Sequence, residues 1–374
     1  MFKVFMSVLC INLIIYVNRV RSIFSAAKMI VLNRITIFPK EINYLEKRLA
    51  KCIGTKYVFT SNNATAGLHA AIASLSVTSD PEVYVNGLVI PSNYVGALKE
   101  NLNVKSTSIN IESYSFDLDF LKEKLKRDDI VIVTHYFGYS HNLNNLVEIV
   151  RNVGAKLIED CSHCHGGYYD GKPLGSFGDI SVFSFQGAKF VSGGEGGCFA
   201  TSDPKLAELG ARHLYQDKYT ARLKNFGLTP NLGSATFGLK GRMHPLAAAL
   251  IKHDLDTLEI RNRLCRVILD YLTERIPANF IRVPAKLKIG GFANGILICN
   301  VDHKLKNLLQ NDFLLKRCIY ERNYNQIRKS LISEEESIGQ INRKIEDSTL
   351  YTTNRIFKNY FVLLRLISLL KRKC

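Results

Sequence analysis

Two hydrophobic periods alternate along the first two thirds of the chain. Nearly continuous apolar runs such as DIVIVTHYF (129–137) and ISVFSF (180–185) are typical of strands buried on both faces of a sheet. Between such runs lie segments whose apolar residues recur every three to four positions, as over 143–153, which is the helical period. From about residue 40 to 201 this alternation predicts a mostly parallel α/β sheet covered by helices.

The remaining candidate strands share the same apolar texture. They are KYVFTS (56–61), GLVIPS (87–92), KSTSINI (105–111), AKLIED (155–160) and GGCFAT (196–201). Past Thr201 the pattern becomes helical, and one long helix is predicted from Pro245 to about Ile276, where Pro277 ends it. We therefore expect three parts: an apolar and basic segment over 1–39, a large domain over 40–245, and a long helix with a small, divergent domain over 246–374.

Both ends of the chain are apolar and basic. The run FMSVLCINLIIYV (5–17) follows Lys3 but lacks a small-residue cleavage pattern behind it, and it is shorter than the about 20 residues that span a bilayer. We predict a packed or interfacial helix there rather than a secretion signal. The C-terminal stretch FVLLRLISLLKRKC is predicted to be a helix that packs on the core.

Composition narrows the class of protein. The 374 residues are 47% hydrophobic and 22% charged, as in soluble globular proteins with a full-sized core. The net charge of +17 is spread along the chain and no tryptophan is present, so we do not expect a compact basic and aromatic surface that binds nucleic acid. An anionic substrate or a membrane surface is compatible with this charge. Nine dispersed cysteines do not form a disulfide framework, which favours a reducing, cytoplasmic location.

Three groups of polar residues follow the predicted strands in an order that suggests chemistry. Asn63-Ala64-Thr65 begins a helix directly after a strand, which presents backbone amides to a phosphate but is also an ordinary helix cap. Asp160 ends a buried strand, where open parallel sheets bind their ligands, although a lone Asp there can equally cap a turn. Ser184 and Lys189 follow the next strand, ahead of the glycines of GGEGG (193–197), and a desolvated lysine is a usable amine nucleophile.

Five blocks of sequence together carry a family resemblance over about residues 40–275. They are FPKEINYLEKRLAKCIGTKY, NATAGLHAAIASL, VTHYFGYSHNLNNL, GLKGRMHPLAAAL and the longest, LIEDCSHCHGGYYDGKPLGSFGDISVFSFQGAKFVSGGEGGCFAT. This set resembles the DegT/StrS-type sugar aminotransferases, which depend on pyridoxal phosphate. The resemblance implies an α/β fold of the PLP-dependent transferase type I (aspartate aminotransferase-like), with a mostly parallel central sheet and a smaller C-terminal α/β domain. The large domain would then bind the cofactor.

The resemblance also assigns roles to individual residues. Lys189 is expected to be catalytic, to carry pyridoxal 5'-phosphate as a Schiff base and then to move a proton between substrate and cofactor. Asp160 would pair with the pyridine nitrogen, and His163 would lie against the phenolic oxygen. The other expected cofactor contacts are Ala64, Thr65 and Ser184 on the phosphate, Tyr94 on the ring, and Lys240 in a loop lent by the partner of a homodimer with shared active sites.

The function implied by the resemblance is amino transfer, with glutamate as the expected donor, to a nucleotide-linked keto-sugar. Such a reaction belongs to amino-sugar and surface-polysaccharide biosynthesis. A sugar dehydratase is one alternative, but dehydratases among these proteins replace the Schiff-base lysine by histidine, and Lys189 is retained. A catalytically impaired membrane-surface or assembly homologue is the other, suggested by the basic apolar termini and by the lack of the family's Tyr-Pro-His segment beyond about residue 290.

A competing motif overlaps the cofactor residues. Cys161-Ser162-His163-Cys164-His165 matches the C-x-x-C-H pattern of haem attachment and offers four zinc ligands within five residues. Consecutive ligands at the end of a buried strand do not readily close a tetrahedral site, and haem attachment requires export. We therefore predict no metal site and expect Cys161 and Cys164 to pack beside the cofactor.

Overall fold

The computed structural model describes residues 1–33, 35, 40–76, 80–87, 90–108, 116–138, 142–230, 238–276, 281–282, 297–298, 302–313, 319–320, 350–352 and 360–371. Its helices are α1 (Phe2–Val31), α2 (Lys40–Ile53), α3 (Ala64–Leu75), α4 (Ser92–Lys99), α5 (Leu118–Lys124), α6 (Leu143–Val153), α7 (Pro204–Tyr215), α8 (Tyr219–Lys224), α9 (Pro245–Asp256), α10 (Leu258–Thr273), α11 (His303–Asn311) and α12 (Tyr360–Lys371). Its strands are β1 (Tyr57–Ser61), β2 (Val83–Asn86), β3 (Val104–Thr107), β4 (Ile130–Thr134), β5 (Lys156–Asp160), β6 (Tyr168–Tyr169), β7 (Lys172–Pro173), β8 (Ile180–Ser184), β9 (Gly197–Thr201), β10 (Ile281–Arg282), β11 (Leu297–Ile298), β12 (Ile319–Tyr320) and β13 (Leu350–Thr352).

The centre of the molecule is a seven-stranded sheet in the order β1-β9-β8-β5-β4-β2-β3. All neighbouring pairs are parallel except those that β9 makes with β1 and β8. The strands β1, β4, β5 and β8 therefore end at one edge, and β9 begins there. The predicted mostly parallel α/β sheet is confirmed.

Helices cover both faces of this sheet. One apolar layer joins the sheet to α3, α4 and α7, while the other contains residues of α2, α6, α9, α10 and α12. The strand residues are almost all buried, as β8 shows over its whole length. Burial on both faces explains why these strands are apolar without alternation.

Two elements differ from the sequence prediction. The strand expected over 87–92 lies earlier, as β2, and Ser92 begins helix α4 instead. Pro91 precedes that helix with a φ of −51°, a value that suits a helix start. The long helix expected after Pro245 is two helices, because Thr257, at φ −111° and ψ 7°, interrupts it.

A second, antiparallel sheet is built from the C-terminal third, in the order β10-β11-β13-β12. It corresponds to the smaller C-terminal unit that the fold class requires. Most of the stretch beyond residue 290, in which the expected sugar-site segment was not found, lies outside the described residues. The proposed boundaries at 39 and 245 stay a prediction.

Glu159 anchors the loop that leads into β8. Its carboxylate is fully buried and accepts hydrogen bonds from the amides of Gly175 (2.9 Å), Phe177 (2.7 Å) and Gly178 (2.7 Å). His135 Nε2 is a fourth partner at 2.9 Å. Because side chains alternate along a strand, Glu159 and its neighbour Asp160 lie on opposite faces of the sheet. Glu159 is thus a structural carboxylate.

Replacing Glu159 by Gln tests this anchoring. A glutamine side chain offers one acceptor oxygen, so its NH2 group would oppose at least one buried donor in place of a hydrogen bond. We expect Glu159→Gln to lower the free energy of unfolding by about 2–4 kcal/mol, measured by denaturant or thermal unfolding. Exposed Glu195→Gln is the control and should change stability little; equal stability of the two variants would contradict the anchoring role.

Candidate active site

The candidate site lies at the edge of the sheet where the parallel strands end. Asp160 is the last residue of β5 and pairs in register with Thr134 of β4, while Ser184 ends β8. Asp160 and Ser184 follow Ile158 and Val182 by two positions, so both lie on the face that α3 and α4 cover. The sheet topology therefore brings these two side chains to one side of one edge.

Asp160 is a buried carboxylate whose hydrogen-bond donors are neutral. It is 1% exposed, and it accepts from Asn93 Nδ2 of α4 (2.9 Å) and from the Ser162 amide (3.0 Å). Asn93 also donates to Thr134 Oγ1 (3.0 Å), which fixes its amide between β4 and β5. A buried carboxylate without a cationic partner in the described part of the chain is costly. A protonated pyridine nitrogen supplies the missing charge, so this donor set fits pyridoxal phosphate.

The start of α3 meets the start of β9 at this edge. Asn63 caps the helix by accepting from the Ala66 amide (2.8 Å), and helix geometry directs the earlier amides of Ala64 and Thr65 out of the first turn. Gly197 makes the approach possible, since a Cβ on it would lie 2.5 Å from the backbone nitrogen of Ala64. Ser184 pairs with Gly197, so its hydroxyl and the helix terminus share one corner suited to a phosphate.

Lys189 lies in the turn that follows β8. The Lys189 amide donates to the carbonyl oxygen of Gln186 (2.8 Å), and the Gly193 amide donates to that of Phe185 (2.8 Å), which closes the loop on itself. The side chain is half-buried and borders a cavity of about 330 Å³ whose other walls include α1 and α9. A lysine placed there can react with a molecule that enters the cavity.

Two helices fix the turn that carries Lys189. Arg261 of α10 donates to the Phe190 carbonyl oxygen (2.8 Å), and its guanidinium lies 4.4 Å from the centre of the Phe190 ring. Asp254 of α9 accepts from the Ser192 amide (3.1 Å). Asn18 of α1 donates to the other oxygen of Asp254 (3.3 Å). The residues that follow Lys189 are therefore held by side chains that the sequence analysis did not single out.

His165 is a neutral histidine next to this turn. Burial, together with the positive charge of Lys189, lowers the pKa of His165 to about 3. Its Nε2 lies 2.8 Å from the Ser184 carbonyl oxygen, which can only accept, so Nε2 carries the proton. His165 therefore fixes the end of β8 as an uncharged donor across the neutral pH range.

The other residues expected at the site lie around the same edge. His163 is 6% exposed and packs edge-on against the Tyr136 ring, with 5.7 Å between ring centroids. Tyr94 is fully buried in the layer between α4 and the sheet, one residue after Asn93. Lys240 is exposed, next to Gly241, whose carbonyl oxygen accepts from the Asn62 amide (2.7 Å). The specific roles of these three residues stay predictions.

The cysteine and histidine motif does not converge on a metal. Among the described residues, the group that brings candidate ligand atoms together is His135, Glu159 and Cys161, which leaves out Cys164 and both motif histidines. Glu159 is already occupied by three amides and His135. Burial raises the pKa of the Cys161 and Cys164 thiols, so both stay protonated. These cysteines are packing residues in this arrangement.

Comparison with known proteins gives this site a family context. Residues 22–319 match the DegT/DnrJ/EryC1/StrS aminotransferase family. One relative is the dTDP-3-amino-3,6-dideoxy-alpha-D-galactopyranose transaminase of Aneurinibacillus thermoaerophilus, 29% identical over 251 residues, which cover 65% of this chain and 65% of the relative. Another is the GDP-perosamine synthase of Escherichia coli O157:H7, 30% identical over 172 residues, or 44% of this chain and 46% of the relative.

Solved structures support the fold. The Escherichia coli GDP-4-keto-6-deoxy-D-mannose-3-dehydratase with bound hydrated PLP superposes with a TM-score of 0.78 at 16% identity, covering 94% of this chain and 96% of the other. The predicted PLP-dependent transferase fold is thereby confirmed. For the first curated relatives the matched segment spans about half of their length.

The depressed pKa of His165 predicts a specific loss of stability in acid. In the unfolded chain His165 binds a proton below its ordinary pKa of 6.5, whereas in the folded protein it does so only near pH 3. The free energy of unfolding is therefore unaffected by this residue above pH 6.5 and falls as the pH drops from 6.5 towards 3. The slope approaches about 1.4 kcal/mol per pH unit. His165→Gln keeps a donor for Ser184 but does not titrate, and it should remove this slope in denaturant unfolding curves. Exposed His303→Gln should retain the wild-type slope; identical slopes for His165→Gln and wild type would contradict the assignment.

Asp254→Asn tests how the Lys189 turn is held. The substitution removes the charge beside Arg261 and weakens the bond from Ser192, a charge-assisted contact of about 1.5–3 kcal/mol. We expect amide hydrogen exchange over 186–194 to become about tenfold faster or more. Asp256→Asn, two residues along the same helix and exposed, is the matched control. Unchanged exchange in Asp254→Asn would show that the turn is rigid without this contact.

Proposed function

Because the chain belongs to the DegT/DnrJ/EryC1/StrS aminotransferase family, we propose that it is a pyridoxal-phosphate-dependent aminotransferase that acts on a nucleotide-linked keto-sugar. The family is one of PLP-dependent enzymes. Two observations carry the proposal. Lys189 is half-buried beside a cavity, and Asp160, at the end of the strand that neighbours the one leading to Lys189, is a buried carboxylate whose described donors are neutral. A lysine amine and an anion for a pyridinium are the two groups that this chemistry requires of the protein.

The bound cofactor would supply an aldehyde that reacts with amines and a conjugated ring that accepts electrons. In our proposal Asp160 keeps the ring nitrogen protonated, because a buried anion stabilises an adjacent cation. Ser184 and the first amides of α3 hold the phosphate, supported by their common corner beside Gly197. His163 would lie against the phenolic oxygen.

Lys189 has two tasks in this proposal. Its amine would hold the cofactor, and the same Nζ would carry a proton between substrate and cofactor. The contacts of Phe190 and Ser192 with α10 and α9 keep the lysine backbone in place while its side chain moves. The neutral His165 beside it adds no second positive charge to the pocket.

The substrate class is supported by the named relatives, which are transaminases and synthases of dTDP- and GDP-linked sugars. The chain carries a net charge of +17, which favours the approach of an anionic sugar nucleotide. We propose glutamate as the amino donor and a homodimer in which the Lys240 loop of the partner completes each site. The product would serve amino-sugar and surface-polysaccharide synthesis.

A labelling experiment tests the role of Lys189. Holoenzyme reconstituted with pyridoxal phosphate should show a visible absorbance band that borohydride abolishes, and peptide mass analysis should find the reduced cofactor on Lys189. Lys189→Ala should lose both signals, while Lys205→Ala, a lysine exposed on α7, keeps them. Cofactor fixed to another lysine, or a protein that takes up none, would refute the assignment.

The same holoenzyme decides between transfer and elimination. Incubated with glutamate and a dTDP- or GDP-linked keto-sugar, a transaminase exchanges the keto oxygen for an amino group, which mass spectrometry detects as a gain of nitrogen. A dehydratase removes water from the sugar instead. Nitrogen gain that disappears in Lys189→Ala supports the proposal, and loss of water without nitrogen gain overturns it.

A further inference from the structure

Helix α1 is apolar on two opposite faces. Its inner face repeats at alternating intervals of four and three residues, as in Val4, Val8, Ile11 and Met29, and packs against α9, α10 and α12. Asn18 lies on the same face and donates to Asp254 of α9 (3.3 Å) and to Thr257 between α9 and α10 (2.6 Å). The inner face is thus held in place by both apolar packing and hydrogen bonds.

The outer face repeats at the same intervals, offset by two positions towards the N-terminus from the inner face, and it is exposed. Its large apolar residues are Phe2, Phe5, Met6, Leu9, Leu13, Tyr16, Val17, Ile23, Phe24, Ile30 and Val31, which are between 37% and 81% exposed. At 1.5 Å per residue this stripe is about 45 Å long. Single exposed apolar residues are ordinary, but a continuous stripe of this length marks a surface that binds something apolar.

The polar residues of α1 indicate which surface it fits. The helix contains Lys3, Arg19, Arg21 and Lys28 and no acidic residue. At 100° per residue, Lys3, Arg21 and Lys28 fall on one flank of the outer stripe and Arg19 on the other. Apolar residues bordered on both sides by cations are the arrangement of helices that lie in the interface of an anionic bilayer.

We propose that the outer face of α1 seats this protein on an anionic lipid surface, with the helix parallel to the membrane plane. The apolar stripe would enter the acyl boundary while the flanking cations meet lipid phosphates. The part of α1 that precedes residue 22 also lies outside the family match, so this surface is largely separate from the family domain.

A second copy of the chain fits the same face less well. It would bring an identical α1 against this face, and each helix has four cations and no anion. The two identical helices would repel each other where an anionic membrane attracts. Charge complementarity therefore favours lipid.

Spanning the bilayer is also disfavoured, although α1 is the described helix with sufficient length and apolarity to cross a membrane. To span, the helix would have to leave α9 and α10 and carry Asn18, Ser22 and the Arg19 and Arg21 cations into hydrocarbon. The contacts of Ser25 with His253 (2.8 Å) and of Asn18 with Thr257 would be lost as well. Binding in the plane retains them.

Vesicle flotation with the full-length protein tests the proposal. We expect the protein to float with vesicles of phosphatidylcholine and phosphatidylglycerol, about tenfold more than with phosphatidylcholine alone, and this excess to fall at high ionic strength. The double variant Leu13→Glu with Phe24→Glu should lose flotation by about tenfold or more, since it places charge in the apolar stripe. Phe313→Glu, at an aromatic residue outside α1 that is 81% exposed, should float like wild type.

Three results would overturn the proposal. Wild-type protein that stays unbound with anionic vesicles would exclude a lipid surface. If the double variant also has half the mass of the wild type by light scattering, the face joins two copies. Protein that resists alkaline extraction from the vesicles would show that α1 spans them. None of these readouts depends on cofactor or transaminase activity.

Discussion

The carboxyl end of β5 is the constraint on which the rest of the site depends. Two adjacent buried carboxylates occupy it, and strand geometry directs them to opposite faces of the sheet. Glu159 is saturated by three amides and His135 and so fixes the loop that enters β8. Asp160 accepts from neutral donors, among the described residues, and is the carboxylate that we propose meets the cofactor. One strand end thereby carries a structural carboxylate and a candidate functional one on opposite faces.

Close packing transmits this arrangement to the neighbouring strands. Glu159 positions the 175–178 loop, β8 then delivers Ser184 to the edge, and Gly197 lets the start of α3 approach to within a backbone contact. Adding even a methyl group at Gly197 would separate the hydroxyl from the helix amides, because a Cβ there meets the backbone at 2.5 Å. The corner that we propose holds the phosphate is therefore a consequence of sheet register and of the missing side chain at Gly197.

Helix α1 links the site to the surface of the molecule. Its inner face reaches Asp254, which holds Ser192 beyond Lys189, while its outer face presents an apolar stripe bordered by cations. An interaction on the outer face and the rigidity of the lysine turn thus depend on one helix. In a protein whose net charge is +17, this geometry couples a chemical site to a surface suited to anions.

The sequence alone determined which runs form most of the buried strands and which polar residues follow each strand. Apolar runs, glycines and the spacing of Asp160, Ser184 and Lys189 are local properties of the chain. The position of β2 was mistaken, since VYVN and the run after it are equally apolar and only packing chooses between them. Tertiary structure alone decided the partners of the site. Asn93 reaches Asp160 across 67 positions and Asn18 reaches Asp254 across 236, and no local pattern records such contacts. They exist because the sheet and its helices bring distant residues within hydrogen-bond distance, a constraint that acts only once the chain has folded.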